Sequence, residues 1–520
     1  MSPLVYTPLH EIEKIHADLE ATFKSGKLQD IEYRKYVLAQ LGYLVKDNFN
    51  AIELALEKDL GRPPLESEFV EINPTIDEAV IAYENVANWS KPVKPAFSSA
   101  WGATQRIVYK EGKGVVLVIG AFNFPLMTGL NPVISAIAAG NTVVYKPSEM
   151  TPATSALLSE LLPKYVDRHV IHVVNGSIPE TTKLLELPYG HVMFTGSGPV
   201  GRIVAGAVAK TLTPVTLELG GKSPVIIDPK SCDLPSTARR ILFGKTHNSG
   251  QICIAPDYVI VPRYFQDTLV EALKKAYDEF FPEGPFAHRA MSRMINANAY
   301  NRLRGLVEKT EGEIVVGGEF KESIRGIAPT IVKNCTWTDA LMSQEIFGPV
   351  LPLIPVDDLE EGLAHVRSND VPLAVYVFSS DKRFQDKIRR ETQSGSILFN
   401  DVVLQAIAEG LPFGGVGPSG SGGYHNGKYG FDVFTHDRAS MNVHPLLTYS
   451  RLDSVLSFRF PPYLGRTFLM KHMAPALPKR PKGPPTKSSS SYGASTWVPI
   501  IVALFVAGGV AAQKTKVLSR

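Results

Sequence analysis

Cys253 stands in His247-Asn248-Ser249-Gly250-Gln251-Ile252-Cys253-Ile254-Ala255-Pro256, a polar, glycine-punctuated turn leading into the strand-like Asp257–Val261. Pro256 prevents the segment from continuing as a helix and Gly250 admits a close backbone approach, so the turn can offer its sulfur to a cleft, where a thiol acts as a nucleophile. A small core hydrophobe is the competing reading of any lone cysteine. Glu218 lies inside the strand-like Val215–Leu219, which ends on Gly220-Gly221. A carboxylate is depleted in strands and costly when buried, so that position asks for a chemical explanation. Three more groups follow strand-like runs. Asn123, in Gly120-Ala121-Phe122-Asn123-Phe124-Pro125, supplies an amide donor, or only a turn. Lys146 and Glu149, in Lys146-Pro147-Ser148-Glu149, suit a phosphate and ribose hydroxyls, or form a solvated charged loop. Thr195-Gly196-Ser197-Gly198-Pro199-Val200-Gly201 exposes backbone N–H groups at a helix start, as a pyrophosphate requires. Proline at 199 departs from the common dinucleotide-binding glycine pattern, so this stretch alone is weak evidence.

The elements that must carry these groups alternate from Gly114 onward. Val115–Ile119, Thr142–Tyr145, Val170–Val174, His191–Phe194 and Val215–Leu219 read as strands, separated by helix-like Pro125–Ala139, Thr151–Leu162, Ile178–Leu187 and Pro199–Lys210. That alternation predicts a parallel sheet covered on both faces, with ligands beyond the carboxyl ends of its strands. Residues 8 to about 90 read as helices, with one running roughly from Glu66 to Trp89 before a Pro-rich connector at 91–95. A second α/β unit follows over 224–400, with helices at Gln266–Phe280 and Ser292–Thr310 and strands at Ile314–Val316, Val350–Ile354, Ala374–Phe378 and Ser396–Phe399.

Composition bounds the rest. The 520 residues are 44% apolar and 20% charged, ordinary for a globular protein of two or three domains. Three scattered cysteines, Cys232, Cys253 and Cys335, make neither a disulfide framework nor a zinc site, so no metal is expected and a reducing compartment is. The N-terminus has no leading apolar core, which argues against a signal or transit peptide. The net charge of +3 hides an asymmetry: residues 451–520 carry +10, which leaves −7 for residues 1–450. The body therefore carries no nucleic-acid signature. Residues 475–495 read as a Pro-, Lys- and Ser-rich linker. Trp497–Ala512 is sixteen residues without a charge, followed by Gln513-Lys514-Thr515-Lys516. As a helix the run is about 24 Å long against a hydrocarbon core of about 30 Å, a mismatch that snorkelling lysines and local thinning absorb. We expect a single membrane anchor over 496–513.

Seven stretches in fixed order carry a resemblance: Phe122-Asn123-Phe124-Pro125, Lys146-Pro147-Ser148-Glu149, Phe194-Thr195-Gly196-Ser197, Leu217-Glu218-Leu219-Gly220-Gly221-Lys222, Gly250-Gln251-Ile252-Cys253, Glu345-Ile346-Phe347-Gly348-Pro349 and Pro412-Phe413-Gly414-Gly415. With them, residues 8–440 resemble the aldehyde dehydrogenase superfamily. Ala255-Pro256-Asp257-Tyr258 and Tyr424-His425-Asn426-Gly427-Lys428 resemble its class three branch, which includes membrane-anchored fatty aldehyde dehydrogenases. The resemblance implies an α/β aldehyde dehydrogenase fold: a Rossmann-like cofactor domain (1–218, with a bridging segment at 91–106), a second α/β catalytic domain (219–400), a return segment (401–445), an extension and linker (446–495) and a C-terminal transmembrane helix.

It also implies roles. Cys253 adds to the aldehyde carbon, Asn123 and the Cys253 N–H bind the oxyanion, and Glu218 activates the water that hydrolyses the thioester, with Glu345 as the second candidate. Lys146 and Glu149 hold the adenosine ribose, Gly196, Ser197 and Gly201 lie near the pyrophosphate, and Glu345 and Phe347 lie by the nicotinamide. NAD is expected over NADP because Glu149 opposes a 2′-phosphate, although related enzymes use both. A thiol of ordinary pKa about 8.5 is only about 3% ionised at pH 7, so the site is expected to pull Cys253 down. The function this implies is oxidation of medium- to long-chain aliphatic aldehydes by a homodimer whose body faces the cytosol. Its lipid bilayer would be the endoplasmic reticulum, the mitochondrial outer membrane or a lipid droplet surface. An aromatic-aldehyde dehydrogenase, a CoA-acylating relative and a catalytically idle membrane scaffold are the alternatives.

Overall fold

The computed structural model describes residues 3–98, 101–102 and 104–443, with 460, 461 and 478. It divides into two units, one formed by Met1–Lys91 with Lys110–His436, the other by Pro92–Tyr109 with Asp437–Arg520.

Two large sheets and a small two-stranded pairing of Phe320–Lys321 with Gly326–Ile327 lie in the first unit. In the six-stranded sheet the spatial order is Gly420–Ser421, Val215–Glu218, His191–Thr195, Val115–Ile119, Thr142–Lys146, Ile171–Val173. Every pairing is parallel except that of the short Gly420–Ser421 edge. Val115–Ile119 is buried along its whole length, as a strand covered on both faces must be. The chain runs outward from it in one direction through Thr142–Lys146, then returns to its other side at His191–Thr195. Strand order therefore reverses between Ile119 and Thr195, and the crevice beyond those two carboxyl ends is where such sheets bind ligands. The seven-stranded sheet orders Ser396–Phe399, Ala374–Phe378, Pro224–Ile227, Tyr258–Pro262, Val350–Val356, Thr330–Lys333, Glu313–Val316, with only the last pairing antiparallel. Cys253, Glu345 and Gly220-Gly221 all precede strands of this second sheet, whereas Asn123, Lys146, Gly196 and Glu218 lie at or beyond the carboxyl ends of strands of the first.

Three boundaries differ from the sequence expectation. The helix anticipated over Glu66–Trp89 is a short turn Pro64–Ser67, a π-helical turn Glu68–Ile72 and a helix Asn73–Trp89, the wide turn bringing Glu71 into the interior. Helix Met127–Ala138 begins two residues beyond Pro125, whose carbonyl instead accepts from Tyr145 Oη at 3.2 Å. The helix expected from Ser292 starts at Ala297, where Asn296 Oδ1 caps it by accepting from Ala299 N at 2.9 Å.

Thr104–Gly112 pairs with Thr435–Val443 as a separate two-stranded sheet, of which residues 104–109 and 437–443 fall in the second unit. Among the described residues no helix is long and apolar enough to cross a membrane, and Trp497–Ala512 lies outside them.

Candidate active site

Three consecutive residues before the cysteine adopt left-handed backbone: Asn248 (φ 49°), Ser249 (φ 52°) and Gly250 (φ 68°). Such geometry persists only where its surroundings over-determine it. Gln251 does part of this, donating from Nε2 to Asn248 O and Arg293 O, each at 3.1 Å, and accepting from Ile295 N at 2.9 Å. A side chain at Gly250 would collide with the carbonyl of Gly348, so the glycine sets how closely the Cys253 turn approaches the Glu345–Gly348 loop. That loop is strained as well: Phe347 has φ 46°. Arg302 donates to Glu345 O at 3.1 Å and Ile346 O at 2.5 Å, and Asp257 accepts from Ile346 N at 2.9 Å, holding it there.

Cys253, Glu218, Asn123 and Glu345 line one cavity of about 950 Å³. Asn123 is buried, and one of its amide hydrogens goes from Nδ2 to Gln251 O at 3.1 Å, two residues before the sulfur. An amide has a second N–H to offer. The main-chain N–H groups of Cys253 and Ile254 face the sulfur. Both carboxylate oxygens of Glu218 are buried without a hydrogen-bond partner, and burial holds its carboxyl well above the usual range. Glu345 is pushed up to about 8 by burial and by Asp257, against a hydrogen bond from Gly221 N–H.

One expectation is overturned. The Cys253 thiol, half-buried at the cavity wall, is pushed up, not down, first by desolvation and then by the neighbouring Glu345 and Glu218. An ionised sulfur there would be poorly solvated and would face the Glu345 and Glu218 carboxyls, which disfavours the anion.

His425 is the site residue that sequence reading passed over except as a branch marker. It lines the same cavity with Nε2 3.9 Å from Glu218 Oε1. Asn426 Nδ2 donates to Ala406 O at 2.9 Å, which turns Asn426 Oδ1 toward His425 Nδ1, also at 2.9 Å. The network therefore assigns the ring proton to Nδ1 and leaves the Nε2 lone pair facing Glu218. Burial pulls His425 down to about 4, so the ring is neutral. A histidine after a glycine pair was the available signal, and nothing in its local pattern separates it from a core histidine.

The other limb of the cavity contains Lys146, Glu149, Gly196 and Ser197, together with Phe347. Lys146 Nζ donates to Glu149 Oε2 at 2.6 Å. No side chain caps the start of helix Gly198–Val208, and Ile178, Val200 and Ile203 line the limb while remaining 80%, 45% and 67% exposed. A charged pair for ribose, an uncapped helix start for pyrophosphate and bare apolar surface for an adenine ring together fit a dinucleotide. Gly201 lies apart: it is buried against Leu219, whose side chain fills the space a Cβ would need, and it does not reach the cavity wall.

The family model described as Aldehyde dehydrogenase family matches residues 8–439. Aldehyde dehydrogenase family 3 member H1 of Arabidopsis thaliana is 39% identical over 465 residues, covering 89% of this chain and 94% of that protein. The dimeric NADP-preferring aldehyde dehydrogenase of Rattus norvegicus is 40% identical over 440 residues, covering 85% and 95%. The substrate-bound structure of Staphylococcus aureus AldH superposes with a TM-score of 0.84 at 37% identity, covering 89% of this chain and 99% of that one.

Proposed function

Because this chain belongs to the aldehyde dehydrogenase family, on its class three branch, and is an NAD(P)-dependent oxidoreductase that converts aldehydes to acids, we propose that its substrates are medium- to long-chain aliphatic aldehydes. The observation that supports this is the apolar cluster that Cys253 packs with, to which Val70, Phe124, Met127, Phe243, Ile252, Val403 and Phe413 belong and which lines the same cavity. A wall of that chemistry rewards each buried methylene by about 0.8 kcal/mol and offers no partner to a charged substrate. In this reading the body is held to a membrane by Trp497–Ala512, where substrates that partition into lipid are concentrated, and two copies form a dimer, as the name of the rat relative says of that protein.

Each residue does a limited task. Cys253 Sγ adds to the carbonyl carbon, its proton passing to Glu345 in the fraction of sites where that carboxyl, which titrates at about 8, is ionised. Asn123 Nδ2 and the Cys253 N–H take up the developing oxyanion, each worth about 10²–10³ in rate. A nicotinamide held beside Glu345 and Phe347 would supply the hydride acceptor. Glu218 then takes a proton from the water that attacks the thioester, with His425 Nε2 3.9 Å from that carboxyl. Lys146, Glu149 and the start of helix Gly198–Val208 hold and orient the cofactor.

The test compares hexadecanal and benzaldehyde turnover for the full chain and for a chain ending at residue 487, with and without phosphatidylcholine vesicles. A higher kcat/KM on hexadecanal is expected for both. Vesicles are expected to retain only the full chain. Preference for benzaldehyde would replace the aliphatic reading by the aromatic one, and vesicle binding by the shortened chain would move the membrane contact to the body.

NAD is the cofactor this reading favours, because a carboxylate paired with Lys146 stands where a 2′-phosphate would. The preference stated in the rat protein's name makes NADP the competitor. Glu149→Gln is expected to raise kcat/KM with NADP relative to NAD by about tenfold, the ~1.4 kcal/mol of a partly screened like-charge repulsion. An unchanged ratio would remove Glu149 from the ribose site.

A further inference from the structure

A pair of buried charges lies behind Asn123. Arg62 follows the left-handed Gly61 that ends helix Phe49–Leu60, and its side chain has no solvent exposure. Its Nη1 is ion-paired to Glu71 Oε2, its Nη2 donates to the main-chain carbonyl of Asn123, and its guanidinium lies 4.8 Å from the centre of the Phe124 ring. Glu71, equally buried, accepts from Leu126 N at 2.6 Å on its other oxygen. One ion pair thus grips the segment 123–126 at both ends, by the carbonyl of its first residue and the amide of its last.

The grip continues into the cysteine turn. Asn248 Nδ2 donates to the same Asn123 carbonyl at 3.0 Å and to Gln251 O at 3.2 Å, the carbonyl that Asn123 Nδ2 also reaches. Asn248 is itself held in left-handed backbone with its N–H on Glu66 Oε2 at 3.1 Å. An ion pair sealed from water returns little net stability for its desolvation, and Arg62 Nε has no partner at all. Stability is a poor explanation for it; fixing where a loop sits is a better one.

We propose that Arg62 and Glu71 are positioning residues for the oxyanion donor, holding the Asn123 amide in register with Cys253 Sγ. The proposal rests on reading Asn123 as that donor. A displacement of about 1 Å at a reacting centre costs on the order of 10²-fold in rate, which sets the scale of the effect.

The experiment is a mutant cycle on the full chain, with kcat and KM measured on hexadecanal. Arg62→Met/Glu71→Leu removes both charges while keeping volume, so no orphan charge is left buried. It is expected to lower kcat by about 10- to 100-fold while KM moves less than about threefold. In the Asn123→Ala background the same pair of changes is expected to cost less than about threefold, because the group being positioned is already gone. Equal losses in both backgrounds would make the pair merely structural and overturn the proposal, as would full activity of the paired variant. Full activity of Asn123→Ala alone would instead overturn the reading of Asn123. Where the paired variant does not fold, Arg62→Lys keeps the charge but loses the fork that reaches Glu71 and Asn123 together, and the same cycle with Asn123→Ala decides.

Discussion

Cys253→Ala is expected to lower aldehyde-dependent formation of reduced nicotinamide by on the order of 10⁴–10⁶-fold, the range seen when a covalent nucleophile is removed. The cavity loses a small group at its wall and the fold loses little, so melting temperature and NAD(P) affinity are expected to stay close to those of the parent. The unliganded site makes a second, sharper prediction about the same sulfur. Burial and the carboxyls of Glu345 and Glu218 raise the thiol pKa, so at pH 7 the free enzyme holds thiol and not thiolate. Alkylation of Cys253 by iodoacetamide in the absence of cofactor is therefore expected to be slow at pH 7 and to rise close to tenfold per pH unit up to pH 9, as thiolate accumulates. Glu345→Gln removes the larger of the two carboxyl effects, so it lowers the thiol pKa and speeds alkylation at a given pH. A rate flat between pH 6 and 9 would mean that the sulfur is already ionised at rest.

How much of this was legible in the sequence differs by residue. The alternation of β-branched runs with helical spacing located the parallel strands of the first sheet, because strands buried on both faces are continuously apolar and Val115–Ile119 has that pattern. Cys253, Glu218 and Asn123 could be singled out since each interrupts a pattern that its neighbours obey. Arg62, Glu71 and His425 could not. Glu71 sits in a stretch that reads as plain amphipathic helix, and only the π-helical turn Glu68–Ile72 brings it into the interior. Arg62 reads as a charged residue of the helix-breaking Gly61-Arg62-Pro63-Pro64, and its burial depends on Glu71 and Asn123, nine and 61 positions away. Gly201 shows the opposite case: its spacing suggested a phosphate loop, but Leu219 from the neighbouring strand occupies the space its missing side chain leaves. Local pattern reports what a residue costs where it stands; long-range packing decides what it touches. The sign of the Cys253 shift belongs to the second kind, since Glu218 and Glu345 reach the sulfur from 35 and 92 positions away.

Glu218→Gln separates the two candidate bases and carries the second large effect. Gln keeps the shape of the side chain but accepts no proton from water, so kcat is expected to fall by about 10²–10⁴-fold. Acylation does not need that base, so the first turnover is expected to survive. Rapid mixing with decanal and NAD should show a burst of one reduced nicotinamide per site followed by a slow phase, and intact-protein mass spectrometry should find a decanoyl adduct on Cys253. The geometry favours Glu218 for this step over Glu345. Its carboxylate oxygens are unclaimed, whereas Glu345 accepts from Gly221 N–H and lies among Asp257, Lys222 and Lys245. Glu218 must release its proton before it can act; the neutral His425 Nε2, 3.9 Å away, can accept a hydrogen bond from that carboxyl, but at about 4 it is too weak a base to take the proton. The pH profile discriminates as well. Glu345 ionises at about 8, so a thioester hydrolysed through Glu345 would speed up across that value and lose the limb in Glu345→Gln. A burst and trapped acyl group in Glu345→Gln, with neither in Glu218→Gln, would transfer the role to Glu345 and leave Glu218 as the neutral group whose burial tunes the sulfur beside it.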